Sequence, residues 1–159
     1  MADSALDPAE RALLAALTEL GVPFMIVGVT AASMQGARVA TDDIDLWFSK
    51  LDDPRLAEAA RRAGGIWIGG HFGMQPPTFG GAIGDRFDVV LTMSGLGTFD
   101  EEYRGARALE LDGVSVRVLP LARIIASKRA AGRPKDSAAI PALEAALRVI
   151  EGEEDPQAR

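Results

Sequence analysis

The stretch that decides the fold reads Gly28-Val-Thr-Ala-Ala-Ser-Met-Gln-Gly36-Ala-Arg38-Val-Ala-Thr41-Asp-Asp43-Ile-Asp45-Leu46. It follows the apolar run 24–27, which is typical of a strand that is buried on both faces. The stretch predicts a glycine turn at Gly28, a short helix that Gly36 ends, and a strand that carries two carboxylates. Side chains two residues apart on a strand share a face, so we expect Asp43 and Asp45 to point the same way.

A third carboxylate, Asp88, interrupts a later strand-like run, Arg86-Phe-Asp-Val-Val-Leu91. Arg86 offers a simple salt bridge, but adjacent strand residues face opposite ways, which places it poorly for Asp88. Carboxylates that converge repel each other unless a cation lies between them, and oxygen ligands together with substrate phosphates suit Mg²⁺. The three acids therefore predict a two-metal site for phosphoryl or nucleotidyl transfer. Incidental acids at strand ends remain the structural alternative.

Composition limits the classes of protein that this chain can represent. Its 159 residues include no cysteine and one histidine, His71, which excludes disulfides, thiolate sites and a multi-histidine zinc centre. The formal net charge of -6 argues against a broad basic face for nucleic acid, although a local basic pocket remains compatible with it. We expect one domain over residues 1–150 and an acidic, flexible tail over 151–159. No membrane span or secretion signal is recognisable, so we expect a cytoplasmic protein.

Working outward, the pattern predicts an α/β (α+β) fold, in which a small mixed β-sheet is flanked by helices and followed by a C-terminal helical pair. The strand signals lie at 24–27, 44–49, 66–68, 78–79 and 87–93, and at a hairpin over 108–118 that turns at Asp112-Gly113. The helix signals lie at 8–20, 31–35, 52–63, 99–106 and 120–131, and from a cap at Asp136 or Ser137 to 150.

Further candidate ligands surround the acid strand. The backbone N–H groups of the Gly28 turn can form an anion-binding nest, to which Thr30 can add a hydroxyl for a phosphate. Arg38 can contact a phosphate or serve as a surface ion-pair partner. Thr41 can cap or pin the turn that delivers Asp43.

A basic cluster lies at the break between the last two helices. Lys128, Arg133 and Lys135 can clamp a triphosphate or an acceptor, but a helix C-terminus also collects basic residues through its dipole. The long glycine-rich loop over 69–84, which contains His71, is a second candidate acceptor region. Trp47 and Trp67 fall within strand runs and are predicted to be core residues rather than stacking platforms for bases.

Taken together, these motifs resemble a minimal nucleotidyltransferase of the DNA polymerase β-like superfamily, close to the AbiE-type toxins and the small antibiotic nucleotidyltransferases. The family pattern falls on Gly28, Gly36, Arg38, Thr41, Asp43, Asp45 and Asp88. The run from Lys128 to Asp136 resembles the Lys…Arg-x-Lys-Asp segment of the toxin-like branch. One residue departs from the pattern: Val29 replaces a small residue, and a branched side chain disfavours positive φ and crowds a phosphate.

The resemblance implies a Mg²⁺-dependent enzyme that moves a nucleoside monophosphate from a nucleoside triphosphate to a hydroxyl of a small molecule, protein or RNA such as tRNA. Asp43 and Asp45 would hold Mg²⁺ on the triphosphate, and Asp88 would help to bind a second metal or take the acceptor's proton. The Gly28 turn with Lys128 or Lys135 would position the phosphates. A noncatalytic nucleotide-binding domain or toxin–antitoxin partner is the alternative, with Val29 as its support. A homodimer is left open.

Overall fold

The computed structural model describes residues 6–40, 43–70 and 75–154, with side chains to residue 152. The predicted ligand Thr41 and the candidate loop residue His71 therefore lie outside the described residues. Within the described ranges the strands are β1 (Phe24–Val27), β2 (Ile44–Phe48), β3 (Gly65–Ile68), β4 (Thr78–Gly81), β5 (Phe87–Val90), β6 (Arg107–Leu111) and β7 (Val114–Val118). The helices are α1 (Pro8–Glu19), α2 (Gly28–Met34), α3 (Arg55–Arg62), α4 (Phe99–Tyr103), α5 (Leu121–Ala131) and α6 (Pro134–Glu154).

A five-stranded mixed sheet with the order β5-β2-β1-β7-β6 forms the centre of the fold. Strand β1 pairs antiparallel with β2 and parallel with β7, while β5 runs parallel to β2 at one edge. Strands β3 and β4 form a separate two-stranded sheet. The α/β class and the mixed sheet with its C-terminal helical pair are confirmed.

Burial explains why β1 occupies the middle of the sheet. All four of its side chains are buried, as the continuous apolar run predicted. Helix α1 packs against α3 and β7, and helix α5 packs against α2 and α6, so helices cover the sheet. Helix α1 begins with a capping box, in which Asp7 and Glu10 each accept a hydrogen bond from the other's backbone N–H.

The hairpin of β6 and β7 turns where the sequence predicted it. Asp112 and Gly113 have φ values of 47° and 81°, as a type I′ turn requires. In the described part of the chain, none of the helices combines the length and the apolar content that crossing a membrane requires.

The boundaries of the last helix differ from the prediction. Gly132 ends α5 in the left-handed conformation, at φ 65°, but α6 begins at Pro134 and continues through Glu154. Proline is well accommodated in the first turn of a helix, where its missing N–H costs nothing. The predicted cap at Asp136 or Ser137 is therefore wrong, and Asp136 lies inside the first turn of α6.

Candidate active site

The register of β2 and β5 brings two of the predicted acids side by side. Asp45 lies directly opposite Asp88 in the parallel pairing, and Trp47 lies opposite Val90 two residues further on. Paired residues on neighbouring strands share a face of the sheet. Asp45 and Asp88 therefore form an acidic rung, the name used below for this pair. Asp43 lies just before β2.

Two of the acids act on the ionisation of the third. Burial first, and then the negative charges of Asp88 and Asp43, raise the pKa of Asp45 to about 6, while Lys128 and Lys135 act in the opposite direction. A carboxylate that is penalised in this way favours a nearby positive charge.

Gly28 is required by the close approach of Asp45. Its φ is 68°, and a Cβ placed on it would lie 2.3 Å from the Asp45 Oδ2 atom. Any side chain at this position would therefore displace the carboxylate. The glycine turn opens the space that Asp45 occupies, in addition to any contact that it makes with a phosphate.

Val29 does not have the backbone strain that the sequence suggested. It lies in the first turn of α2, and Asp112 is the only non-glycine residue with positive φ in the described ranges. The positive φ that a branched side chain disfavours is therefore not required of Val29. Its side chain nevertheless lines the cavity beside Gly28.

The hydroxyl of Thr30 has a backbone partner rather than open access to the cavity. Thr30 is buried, and its Oγ1 donates a hydrogen bond of 2.7 Å to the carbonyl oxygen of Asp43. In this structure Thr30 thus fixes the segment that delivers the acids, instead of facing a phosphate as the sequence suggested. Arg38 is exposed, and the described residues provide it with no hydrogen bond or ion pair. It directly precedes Val39 and Ala40, which line the cavity.

Strand alternation predicted that Arg86 would be poorly placed to neutralise Asp88, and the structure agrees. Its guanidinium pairs with the carboxylate of Asp7 at the start of α1. Asp88 is exposed on the edge strand β5, and among the described residues it has no hydrogen-bond or ion-pair partner. Its carboxylate is thus accessible to solvent and to a ligand at the acidic rung.

The basic cluster is organised by a buried acid. Asp136 is 1% exposed, and it accepts a hydrogen bond of 3.2 Å from Lys128 Nζ and one of 2.7 Å from Arg133 Nε. Its pKa is lowered, first by the hydrogen bond from Arg133 and also by Lys128. The exposed Lys135 is its neighbour in the chain. Sequence reasoning missed this role, because an Asp after a helix break is equally typical of a cap.

A cavity of about 590 Å³ is lined both by an acid of the rung and by the basic cluster. Gly28 and Asp45 line it together with Lys128, Arg133 and Lys135. Apolar side chains complete the wall, among them Val39, Val90, Met93 and Ile124. The structure therefore brings Gly28, Asp45, Lys128 and Lys135 to one cavity, with Asp88 and Asp43 acting on it electrostatically.

The donor chemistry of this cavity fits Mg²⁺ in one specific way. Among the described residues, no group of three or more His, Cys, Asp or Glu side chains is arranged to hold a metal ion. Mg²⁺, however, is usually bound through one or two carboxylates plus substrate phosphates, rather than by an all-protein cage. The acidic rung, with the raised pKa of Asp45, fits a cation of that kind, which a nucleotide would bring with it.

Replacing Asp136 with Asn should destabilise the protein at pH 7 by about 2 kcal/mol, because two cations would lose a buried carboxylate that accepts from both. Since the pKa of Asp136 is lowered in the folded state, this contribution is present above its unfolded pKa and is lost as the pH falls through its folded value. Urea denaturation at pH 7 and pH 3 measures both effects.

The matched control for this prediction is Glu58→Gln. Glu58 also accepts from two arginines, Arg61 and Arg62, but on the exposed surface of α3. Exposed pairs contribute little to stability, so this variant should unfold almost as the wild type does. Equal unfolding midpoints for the two variants would contradict the role assigned to Asp136.

Comparison with known proteins supports the fold. No family model and no curated protein matches the chain, but solved structures do. The crystal structure of ANT(2″)-Ia in complex with adenylyl-2″-tobramycin is 22% identical, covers 91% of this chain and 88% of its own, and has a TM-score of 0.55. The solution structure of the antibiotic-resistance factor ANT(2″)-Ia is 20% identical, covers 91% and 84%, and has a TM-score of 0.57.

A third solved structure widens the comparison. An antigenic nucleotidyltransferase-like protein from Paracoccidioides brasiliensis is 14% identical, covers 92% of this chain and 78% of its own, and has a TM-score of 0.53. The chain therefore has the nucleotidyltransferase fold that the resemblance implied. None of these three structures is described as an AbiE-type toxin, so that branch stays a prediction.

Proposed function

We propose that the protein is a Mg²⁺-dependent nucleotidyltransferase, which moves a nucleoside monophosphate from a nucleoside triphosphate to a hydroxyl acceptor. The observation that carries this proposal is the cavity that Asp45 of the acidic rung lines together with Lys128, Arg133 and Lys135. A triphosphate with its metal ion needs both kinds of charge, since the anionic phosphates favour the cations and the metal ion favours the carboxylates.

Different residues of the cavity would bind the metal ion and the phosphates. Asp45 and Asp88 would hold Mg²⁺, with the negative charge of Asp43 adding to its attraction, and the ion would neutralise charge that develops on the phosphates during in-line displacement. Lys128 and Lys135 bind the β- and γ-phosphates, and Asp136 holds Lys128 in place. Arg38, which directly precedes the lining residues Val39 and Ala40, would contact a phosphate.

The chemical step requires a base near the acceptor hydroxyl. Asp88, exposed on the edge strand, accepts the hydroxyl proton. The hydroxyl oxygen then bonds to the α-phosphorus, the bond from that phosphorus to the bridging oxygen breaks, and pyrophosphate leaves. The structure of ANT(2″)-Ia with an adenylylated antibiotic supports the combination of a nucleotide with a small-molecule acceptor, although protein and RNA hydroxyls remain alternatives.

A noncatalytic nucleotide-binding domain, or a toxin–antitoxin partner with this fold, is the second candidate. The observation in its favour is that the branched side chain of Val29 lines the cavity next to Gly28. There it narrows the approach of a phosphate to the backbone.

Calorimetric titration with ATP, CTP, GTP and UTP in the presence of Mg²⁺ tests the proposal. We expect metal-dependent binding to the wild type. Binding to Asp43→Asn/Asp45→Asn should be at least tenfold weaker, because the two negative charges that attract the metal ion are removed. The matched control is Glu110→Gln/Glu151→Gln, which removes two exposed acids that do not line the cavity and should bind like the wild type.

Pyrophosphate release separates the two candidate functions. Metal-dependent binding without release of pyrophosphate from the nucleotide, whichever acceptor is supplied, would favour the noncatalytic candidate. A well-folded wild type that binds none of the four nucleotides would overturn both.

A further inference from the structure

A second concave surface begins one rung away from the acids. This surface, the trough, has a volume of about 640 Å³. Its lining includes Trp47, residues 90–93, Leu96 and Phe99. Trp47 and Val90 are in register with each other, two residues beyond Asp45 and Asp88 on the same strands and the same face. The trough thus starts about 7 Å from the acidic rung. Val90, Thr92 and Met93 line both the trough and the nucleotide cavity.

The floor of the trough is aromatic and held rigidly. The rings of Trp47 and Phe99 meet edge to face with their centroids 5.8 Å apart, and both residues are almost fully buried. Tyr103, also on α4, stacks on Phe99 with the ring centroids 5.1 Å apart. Leu91 lies on the lining and is 52% exposed.

The charge of the lining selects against anions. Glu101 is the one charged side chain that lines the trough in the described residues, and no lysine or arginine does so. Its carboxylate accepts hydrogen bonds from the N–H and the hydroxyl of Thr98. The cations of the site all lie on the other cavity, where the triphosphate is proposed to bind. A polyanion such as RNA would find no counter-charge along the trough.

We propose that the trough is the acceptor subsite, and that the acceptor is a small molecule with an apolar ring system, no anionic group, and a hydroxyl directed toward Asp88. This inference rests on the proposed nucleotidyltransferase function and specifies its acceptor. The trough has the size of an ordinary small-molecule site and an apolar lining with few polar groups. Val90, which lines both surfaces, lies two residues beyond Asp88 on β5, so a hydroxyl at this end of the trough can extend toward the proposed base.

Two probes with the same indole ring test the chemistry of the trough. Tryptophol carries a neutral hydroxyl, whereas indole-3-acetate carries a carboxylate. In NMR titrations of the wild type with Mg²⁺ and ATP, we expect tryptophol to shift the Trp47 indole and the methyl groups of Leu91 and Leu96. Indole-3-acetate should bind at least tenfold more weakly. Equal affinity of the two probes, or shifts confined to other residues, would overturn the inference.

A charge placed on the trough tests its location. Leu91→Glu should weaken tryptophol at least tenfold and leave ATP binding within twofold, because Leu91 lines the trough and not the nucleotide cavity. Val149→Glu is the matched control, since Val149 is 61% exposed on α6 and lines neither surface. Unchanged tryptophol binding in Leu91→Glu would overturn the inference.

The outcomes distinguish this inference from the function on which it rests. Binding of Mg²⁺ and ATP without binding of tryptophol would reject the acceptor subsite and leave the transferase proposal standing. Absence of binding of all four nucleotides by the well-folded wild type would reject the transferase itself. A short RNA hairpin that displaces tryptophol from the trough would also reject the small-molecule acceptor.

Discussion

Asp45→Asn is expected to reduce nucleotide transfer on the order of a thousandfold, since metal-borne charge stabilisation is worth several kcal/mol. The same change should make the metal-free protein more stable. Asp45 is ionised at pH 8 in spite of its burial and the neighbouring charges of Asp88 and Asp43. Asparagine keeps the shape of the side chain and removes that repulsion. A carboxylate that destabilises the metal-free protein is expected where it serves as a ligand for a cation, because function and stability then favour different residues.

The pH dependence of stability shows that Asp45→Asn should be stabilising. Because the folded-state pKa of Asp45 is raised to about 6, the folded protein binds more protons than the unfolded chain between about pH 4 and pH 6. The penalty on the folded state is therefore complete above pH 6 and disappears as the pH falls. We expect Asp45→Asn to be more stable than the wild type by about 1–2 kcal/mol at pH 8, after allowance for solvent screening, and equal to it below pH 4.

Urea denaturation in EDTA at pH 8 and pH 4 measures this difference, and Asp53→Asn is its control. The pKa of Asp53 is lowered, chiefly by hydrogen bonds from Arg55, so the same chemical change there should destabilise the protein at pH 8. A destabilised Asp45→Asn at pH 8 would contradict the assigned repulsion. Retention of transfer by a folded Asp45→Asn would contradict its place in the site.

The strands that position the site could be predicted because local pattern and tertiary environment agree there. The run 24–27 is apolar throughout and becomes the fully buried β1. Trp47 is buried in β2 as predicted, and Trp67 packs against Phe79 with ring centroids 4.9 Å apart. The two interruptions of apolar runs by Asp45 and Asp88 were visible in the sequence, because a lone acid in a buried strand is costly.

Long-range pairing could not be predicted in the same way. That Asp45 lies opposite Asp88, rather than one residue away and on the other face, depends on the parallel register of β2 and β5. The role of Asp136 depends on Lys128, which reaches it from the preceding helix. The trough depends on α4, which packs Phe99 against Trp47. A sequence shows each residue of such a pair and leaves the distance between them undetermined.

Gly28→Ala is expected to lower both the stability of the protein and its binding of metal and nucleotide, although it adds only one methyl group. The substitution forces alanine to φ 68°, which costs about 1–2 kcal/mol, and its Cβ would lie 2.3 Å from Asp45 Oδ2. The carboxylate must then leave its present position. We expect a total loss of about 2–5 kcal/mol of stability, as overpacking adds about 1–3 kcal/mol, and loss of metal-dependent nucleotide binding.

Gly36→Ala separates backbone strain from the clash. Gly36 also has positive φ, at 101°, but nothing lies within 4 Å of its Cβ position. This variant should therefore show the cost of strain alone and keep nucleotide binding. Comparing the free energies of unfolding of the two variants isolates the contact between residue 28 and the carboxylate.

A double-mutant cycle decides why the glycine is needed. In an Asp45→Gly background the carboxylate is absent, so Gly28→Ala should cost no more than Gly36→Ala does, with a coupling energy of at least about 1 kcal/mol. If Gly28→Ala costs the same in both backgrounds, the glycine is not required by Asp45. Its requirement would then come from a phosphate that approaches the backbone, as the family pattern implies. The cycle therefore distinguishes a glycine that makes room for the metal-binding acid from one that makes room for the nucleotide.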